Sequence, residues 1–248
     1  MLFVYLTITI NYCKVMNVGY FLLSLAGLDL RGKIMHLDKP VTIRTLDLDD
    51  IHEISRCLQI AISTLSNELF VSPSIDYIVT IISGYGRTVG AFYENSLIGF
   101  ASFVFPRRGK NNLGHLLHYD EQKLLAVVQL EHIFIVPQFR RIGIAEQLIR
   151  YLMLHTDPQF TILLSTVSPQ NTPSLALAFK IKQRLISLVE VYGVMRFIMC
   201  AKLSLQEEDC EHETVELPRE EINHLKLMLQ AGYEGVALGV ENKTFILI

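Results

Sequence analysis

Leu130-Glu131-His132-Ile133-Phe134-Ile135-Val136-Pro137-Gln138-Phe139-Arg140-Arg141-Ile142-Gly143-Ile144-Ala145 is a buried strand running into a proline, then a basic, glycine-containing turn, then the start of a helix. The β-branched and aromatic residues of the run Val127 to Val136 suit a strand covered on both faces, and Pro137, which cannot donate to a ladder, ends it. From Ala145 to Leu154 the residues Leu148, Ile149, Leu152 and Met153 share one helical face. A helix opening straight from such a turn presents unpaired N–H groups and the positive end of its dipole. Gly143 and the small Ala145 let a ligand approach the backbone, while Arg140 and Arg141 add charge, so residues 140–145 form a candidate phosphate site. A merely solvated corner would need neither two arginines nor a glycine there. The G-x-G-x-x-G and Walker A spacings are absent, and Gly84-Tyr85-Gly86 with Gly90 precedes a strand and reads as a loop.

Outward from this segment, Phe160 to Val167 reads as a strand, Ser174 to about Arg184 as a helix, and Ile186 to Leu203 as two strands around Tyr192-Gly193. Upstream, Thr88 to Tyr93 and Leu97 to Phe105 are apolar runs joined by Glu94-Asn95-Ser96, a hairpin signal, with a polar loop Arg107 to Asn112 beyond Pro106. Val41 to Leu46 alternates as a strand and leads through Asp47, Asp49 and Asp50, good N-cap residues, into a helix from Ile51 to about Ala61. Ser72-Pro73-Ser74 opens a second helical stretch through Ile82, closed by Ser83-Gly84. The acidic run Gln206 to Glu216 reads as a linker, Pro218-Arg219-Glu220-Glu221 as the start of a helix through Gln230, and Tyr233 to Ile248 as a hairpin turning at Glu241-Asn242-Lys243. The order is mixed α/β, with an antiparallel first half and a βαβ-like centre.

A length of 248 residues suits one large domain with an appendage or two small ones, and 50% hydrophobic residues build a core without a metal or disulfide staple. With 22 Lys and Arg against 25 Asp and Glu the net charge is −3, so no global basic field exists to hold nucleic acid. Any anion must be bound locally. Cys13, Cys57, Cys200 and Cys210 lack metal-ligand spacing and fit reduced thiols of a cytoplasmic protein. His115 and His118 have H-x-x-H spacing but no third ligand, so no metal is expected.

From Met1 to Leu28 the only charged side chain is Lys14. Asn11, Lys14 and Asn17 interrupt the apolar run that a membrane span needs, whereas Ser24-Leu25-Ala26 would serve as a signal-peptide cleavage site. Ordinary globular patterning starts after Met35, so residues 1–34 are equally read as an upstream extension from an early start codon. Membrane contact is confined to residues 1–30.

The spacing Arg140-x-x-Gly143-x-Ala145, after a strand ending Val136-Pro137 and before a strand leading to Asn171 and Ser174, resembles the pyrophosphate loop and second coenzyme A region of the GNAT superfamily of N-acetyltransferases. The resemblance covers roughly residues 40–203. It implies an acyl-CoA N-acyltransferase fold, a central mixed sheet flanked by helices, over residues 36–205, between an apolar extension (1–35) and a linker with a C-terminal helix and hairpin (206–248). It further implies an acetyl-CoA-dependent N-acetyltransferase acting on a primary amine, as a monomer or homodimer, with no metal. The alternative is an acyl-CoA-binding or sensing module that has lost catalysis.

By the same resemblance, backbone groups of Ile133, Phe134 and Ile135 would hold the pantetheine arm, and Arg140, Arg141, Ile142, Gly143, Ile144 and Ala145 the pyrophosphate. Asn171 and Ser174 would complete the cofactor site, Asn171 being equally suited to cap the helix that follows. Glu131 is the candidate general base, since a carboxylate in so apolar a strand is costly unless paired or functional. His132 would point to the opposite face by strand alternation. The superfamily's tyrosine, seven residues after the asparagine, is replaced by Ala178, and Gly-Phe at the helix end by Lys182-Gln183. Tyr192 is the substitute proton donor; with Gly193 and Arg196 it looks like a variant among bacterial members of the superfamily. The acceptor pocket would lie around Leu65 to Pro73 and Tyr192, with Glu68 its one charged group.

Overall fold

The computed structural model describes residues 21–23, 26–28, 34–36, 39–64, 72–191, 193–203 and 213–248, the first three segments as backbone only. Its first half runs β1 (Phe21–Leu23), β2 (Ala26–Leu28), β3 (Ile34–His36), β4 (Val41–Thr45), α1 (Ile51–Ile62), α2 (Ile75–Thr80), β5 (Gly86–Tyr93), β6 (Ser96–Val104), α3 (Glu121–Leu125) and β7 (Val127–Ile135). It continues with α4 (Ile144–Leu154), β8 (Ile162–Val167), α5 (Thr172–Lys180), β9 (Arg184–Val191), β10 (Val194–Lys202), β11 (Val215–Pro218), α6 (Ile222–Gln230), β12 (Gly235–Leu238) and β13 (Thr244–Leu247).

Among the described residues eleven strands form one sheet in the order β1-β4-β5-β6-β7-β8-β10-β9-β12-β13-β11, and β2 pairs with β3 apart from it. Within the large sheet the neighbours are antiparallel except β7 and β8, which run parallel and are joined by the crossover helix α4. This is the mixed sheet flanked by helices that the resemblance implies. Glu94 and Asn95 both adopt positive φ, which twists the β5–β6 turn in the sense its strands require.

Helices cover both faces. α4 packs Ile144, Leu148, Ile149 and Leu152 against Val89, Ala101, Phe103, Val128 and Leu130. On the opposite face Ile54, Cys57 and Leu58 of α1 and Ile78 of α2 meet Phe100, Phe134 and Val136. The entry into α1 is built from local bonds: Asp47 accepts from the Asp49 N–H, and Asp50 reaches back to the Asp47 N–H and pairs with both terminal nitrogens of Arg44 at 2.7 Å.

Several boundaries differ from the pattern. The second helical stretch is regular only over α2, then widens into a π-type turn across Ile81–Tyr85 with Gly84 at φ 121°. The helix expected to reach Arg184 stops at Lys180, because Lys182 turns left-handed at φ 63° and Arg184 already begins β9. Pro218 closes β11 instead of opening α6, which starts at Ile222. Between the polar loop and β7 lie a short 3-10 turn, Leu113–Leu117, and α3, capped by Asn112 and Asp120. Cys13, Lys14, Cys210, Glu68, Tyr192 and most of the 206–216 run lie outside the described residues.

Candidate active site

β7 and β8 pair only from Val127–Ile162 to Leu130–Ser165; beyond this β7 runs on to Ile135 and β8 to Val167 without meeting. On its other side β7 stays paired with β6 as far as Gly99–Ile135. The Val136 N–H donates to the Ile98 carbonyl at 2.9 Å. Antiparallel pairing alternates, so the N–H and C=O of Phe134 and His132 also point to β6, and those of Ile133 and Ile135 point into the gap. Phe134 is therefore corrected as a backbone donor, because β6 uses its groups. The Ile135 carbonyl is taken by Arg140 Nε at 2.9 Å, which leaves its N–H to face the gap.

The turn after β7 is shaped by two left-handed residues, Arg141 at φ 64° and Gly143 at φ 89°. Between and beyond them Ile142 and Ile144 are buried in the α4 core, which anchors the turn from below. Gly143 is the N-cap of α4 and offers no side-chain cap, so the first N–H groups of the helix have no acceptor within it. The conformation at Gly143 strains any residue with a Cβ.

The two arginines separate in role. Arg140 does not face the turn's amides: Nη2 donates to the Ala61 carbonyl at 2.6 Å and Nη1 to Thr64 Oγ1 at 3.0 Å, binding the end of α1 to the end of β7. Carbonyl acceptors at the C-terminus of α1 outcompete solvent for this guanidinium. Arg141 is exposed and is the arginine left to meet an anion. Glu146, in the first turn of α4, accepts from Lys180 Nζ at 2.7 Å and from Arg150 Nε at 3.0 Å. Burial raises its pKa, but these two bonds outweigh burial and hold the carboxyl below its ordinary value.

Glu131 occupies an irregularity of the strand. His132 pairs with Ser102 and Leu130 with Phe103, so Glu131 is the extra residue of a β-bulge. The bulge switches the facing of the strand: Val128 and Leu130 before it, and Ile133 and Ile135 after it, all meet the α4 core, whereas Phe134 and Val136 meet the α1 and α2 core. Glu131 and His132 consequently lie on the same side, both against Tyr77. This overturns the alternation argument that sent His132 to the opposite face.

The Tyr77 hydroxyl donates to Glu131 Oε2 at 2.8 Å, and Gln129 Nε2 donates to Glu131 Oε1 at 3.2 Å. Gln129 is fixed in turn by accepting from the Leu113 N–H at 2.6 Å. Burial raises the pKa of Glu131, with the bonds from Tyr77 and Gln129 opposing it. His132 is 7% exposed, stands edge-on to Tyr77 with ring centres 5.8 Å apart, and has a buried Nδ1 with no hydrogen-bond partner. Burial pushes its pKa down to about 4, so the ring is neutral.

Asn171 is the N-cap of α5, its Oδ1 accepting from the Ser174 N–H at 3.1 Å, so both expected cofactor residues sit together at the start of that helix. Ala178, in place of the superfamily's tyrosine, is 4% exposed and packed among Leu175, Leu185 and Phe245. Val191 ends β9, and Gly193 precedes the exposed Val194 and Met195 at the start of β10; Tyr192 between them lies outside the described residues. Among the described residues no cluster of His, Cys, Asp and Glu could hold a metal, and no helix is long and apolar enough to cross a membrane. Tyr77 and Gln129 escape the sequence reading. Gln129 is legible as two residues before Glu131 on one strand face; nothing in the sequence links Tyr77 to a residue 54 positions away.

No curated protein matches this sequence. Among solved structures the fold is similar to the ribosomal-protein-S18-alanine N-acetyltransferase of Escherichia coli, with 16% identity, TM-score 0.51, and coverage of 69% of this chain and 99% of that one. It is similar to YncA of Salmonella typhimurium, solved with its cofactor acetyl-CoA, at 14% identity and TM-score 0.51, covering 68% and 99%. An N-acetyltransferase from Staphylococcus aureus Mu50 aligns at 16% identity and TM-score 0.50 over 66% and 99%. The family model described as the acetyltransferase (GNAT) family matches residues 56–180, half of the chain and the part that holds the gap, the turn and α5. The protein belongs to the GNAT family of acetyltransferases.

Proposed function

We propose that the protein transfers the acetyl group of acetyl-CoA to a primary amine. The observation that carries this reading is the parting of β7 from β8, with the uncapped start of α4 at one end and the Glu131 carboxylate on the bulge at the other. Acetyl-CoA supplies a thioester, an acyl group already activated toward an amine. The N–H groups of residues 142–145 and the Arg141 side chain bind its pyrophosphate. Ile133 and Ile135 offer strand-like hydrogen bonds to the pantetheine arm, Asn171 and Ser174 line it, and the Ile135 N–H polarises the thioester carbonyl.

An alkyl ammonium, with a pKa of about 10, must lose a proton before it attacks. Glu131 accepts that proton through water. The C–N bond then forms, the C–S bond breaks, and Tyr192 gives a proton to the departing thiolate. A thiol with a pKa of about 8.5 leaves acceptably even without help, so loss of the superfamily's tyrosine slows the step without forbidding it. Ala178 favours a second reading, an acyl-CoA-binding module without turnover. Incubation with acetyl-CoA and panels of small amines, polyamines, amino acids and peptides, followed by release of free thiol, decides between them: stabilisation by acetyl-CoA with no transfer supports the second. Burial pushes the Cys57 thiol up to about 12, so it is an unreactive core side chain.

A further inference from the structure

The β8–α5 loop, which carries Asn171, is gripped from outside the family match. Arg219, between β11 and α6, donates from Nη2 to the Pro169 carbonyl at 2.6 Å and from Nη1 to Thr172 Oγ1 at 2.9 Å. These two contacts bracket Gln170 and Asn171. The guanidinium is itself held: Nη1 also donates to the Asn242 carbonyl at 3.0 Å, the group lies 5.6 Å over the Phe245 ring, and the Arg219 N–H donates to the Lys243 carbonyl at 3.0 Å. The base of the clamp is rigid, because Leu217, Leu225, Leu229, Phe245 and Leu247 share one buried core with α5, β9 and β10.

The loop's own bonds are all local. Ser168 Oγ donates to Gln170 Oε1 at 2.7 Å, the Asn171 N–H to the Ser168 carbonyl at 2.9 Å, and the Thr172 N–H to the Gln170 carbonyl at 3.0 Å. The loop's ends are anchored by Val167, paired with Phe197, and by Leu175 of α5 in the core, and Arg219 adds the contacts that reach the residues between them. A cleft of about 520 Å³ lies between Pro169 and Gln170 on one side and Pro218, Glu220 and Lys243 on the other, and the Arg219 guanidinium spans it.

We propose that Arg219 is a positioning residue for the acetyl-CoA site, holding Asn171 and the first turn of α5 in place so that cofactor affinity depends on the C-terminal elements. The proposal rests on the reading above that this loop lines the pantetheine arm. Arg219→Met in the full chain keeps the side chain's apolar stem and removes every donor. Hydrogen exchange at residues 168–175 is expected to accelerate while that of β6 and β7 holds. The acetyl-CoA Kd should rise on the order of ten-fold, as for lost charge-assisted hydrogen bonds. Adenosine 3′-phosphate 5′-diphosphate, which has the pyrophosphate without the arm, should bind as it does to the wild type, and Arg219→Lys should recover part of the affinity for acetyl-CoA. Unchanged exchange, unchanged acetyl-CoA affinity, or equal weakening of both ligands overturns the proposal. Asn171→Ala separates it from the reading beneath: if only Arg219→Met weakens acetyl-CoA, the role of Asn171 fails and the clamp stands through the rest of the loop. If both variants bind as wild type, both fail.

Discussion

On the proposed reading Glu131 is the residue to test first: it is the extra residue of the bulge and lies with His132 on one side of the strand, against Tyr77. Glu131→Gln keeps the size and some hydrogen bonding but cannot accept a proton. Turnover near neutral pH should fall on the order of 10² or more with acetyl-CoA affinity little changed, and the deficit should shrink toward high pH, where free amine is abundant. Transfer measured from pH 6 to about 10 tests this; near wild-type activity at pH 7 removes Glu131 from the mechanism. Tyr77→Phe deletes a bond that favours the ionised carboxylate, so the acidic limb of kcat/KM should move to higher pH, and an unmoved limb rejects the pairing. His132 adds a stability prediction. Its folded pKa of about 4 lies below the 6.5 of an unperturbed histidine, so between these values the unfolded chain binds more protons and stability falls as pH falls. Replacing the ring by phenylalanine should flatten that part of the Tm–pH curve.

Among the elements, the β7–α4 corner carries the most testable geometry. Gly143→Ala forces a Cβ into a left-handed conformation and should cost about 1–2 kcal/mol of stability, with acetyl-CoA still stabilising what folds. Gly143→Glu adds bulk and negative charge where the pyrophosphate is placed, and should abolish the stabilisation altogether. Thermal melts with and without acetyl-CoA compare the two; equal responses would move the anion site elsewhere. Arg140 shows why the two variants must be aimed at the backbone. Its guanidinium is spent on Ile135, Ala61 and Thr64, so the positive end of the helix and Arg141 are what the corner offers an anion.

For the molecule as a unit, acetyl-CoA at about 100 times its Kd should stabilise the fold by roughly 2.7 kcal/mol, and an unchanged melt at millimolar ligand would sink the cofactor reading. Of residues 1–34, the described strand that joins the large sheet, β1, pairs with β4 through Phe21–Ile43, at the edge opposite β11 and away from the gap in sheet order. A chain starting at Met35 should therefore fold and bind acetyl-CoA with unaltered Kd. Removing β1 also bares the edge of β4, so any penalty should appear as self-association in size-exclusion chromatography rather than as lost affinity.

Local signals wrote much of this fold into the chain. The alternation of Val41 to Thr45, the aspartates before α1, the Glu94-Asn95 turn and the proline after Val136 each act within a few residues, and each element formed where its signal stands. The Arg140-x-x-Gly143-x-Ala145 spacing was equally legible, because a helix start and its glycine are neighbours in sequence. Tertiary structure alone decided the facing of His132, since a bulge arises from a mismatch between two strands and leaves no mark on either. It alone decided that Arg140 would serve α1, that Tyr77 would meet Glu131, and that Arg219 would reach the β8–α5 loop. The physical reason is common to all of these: a hydrogen bond between residues dozens of positions apart is chosen by which surfaces the buried cores bring together, and a linear pattern holds no information on that distance.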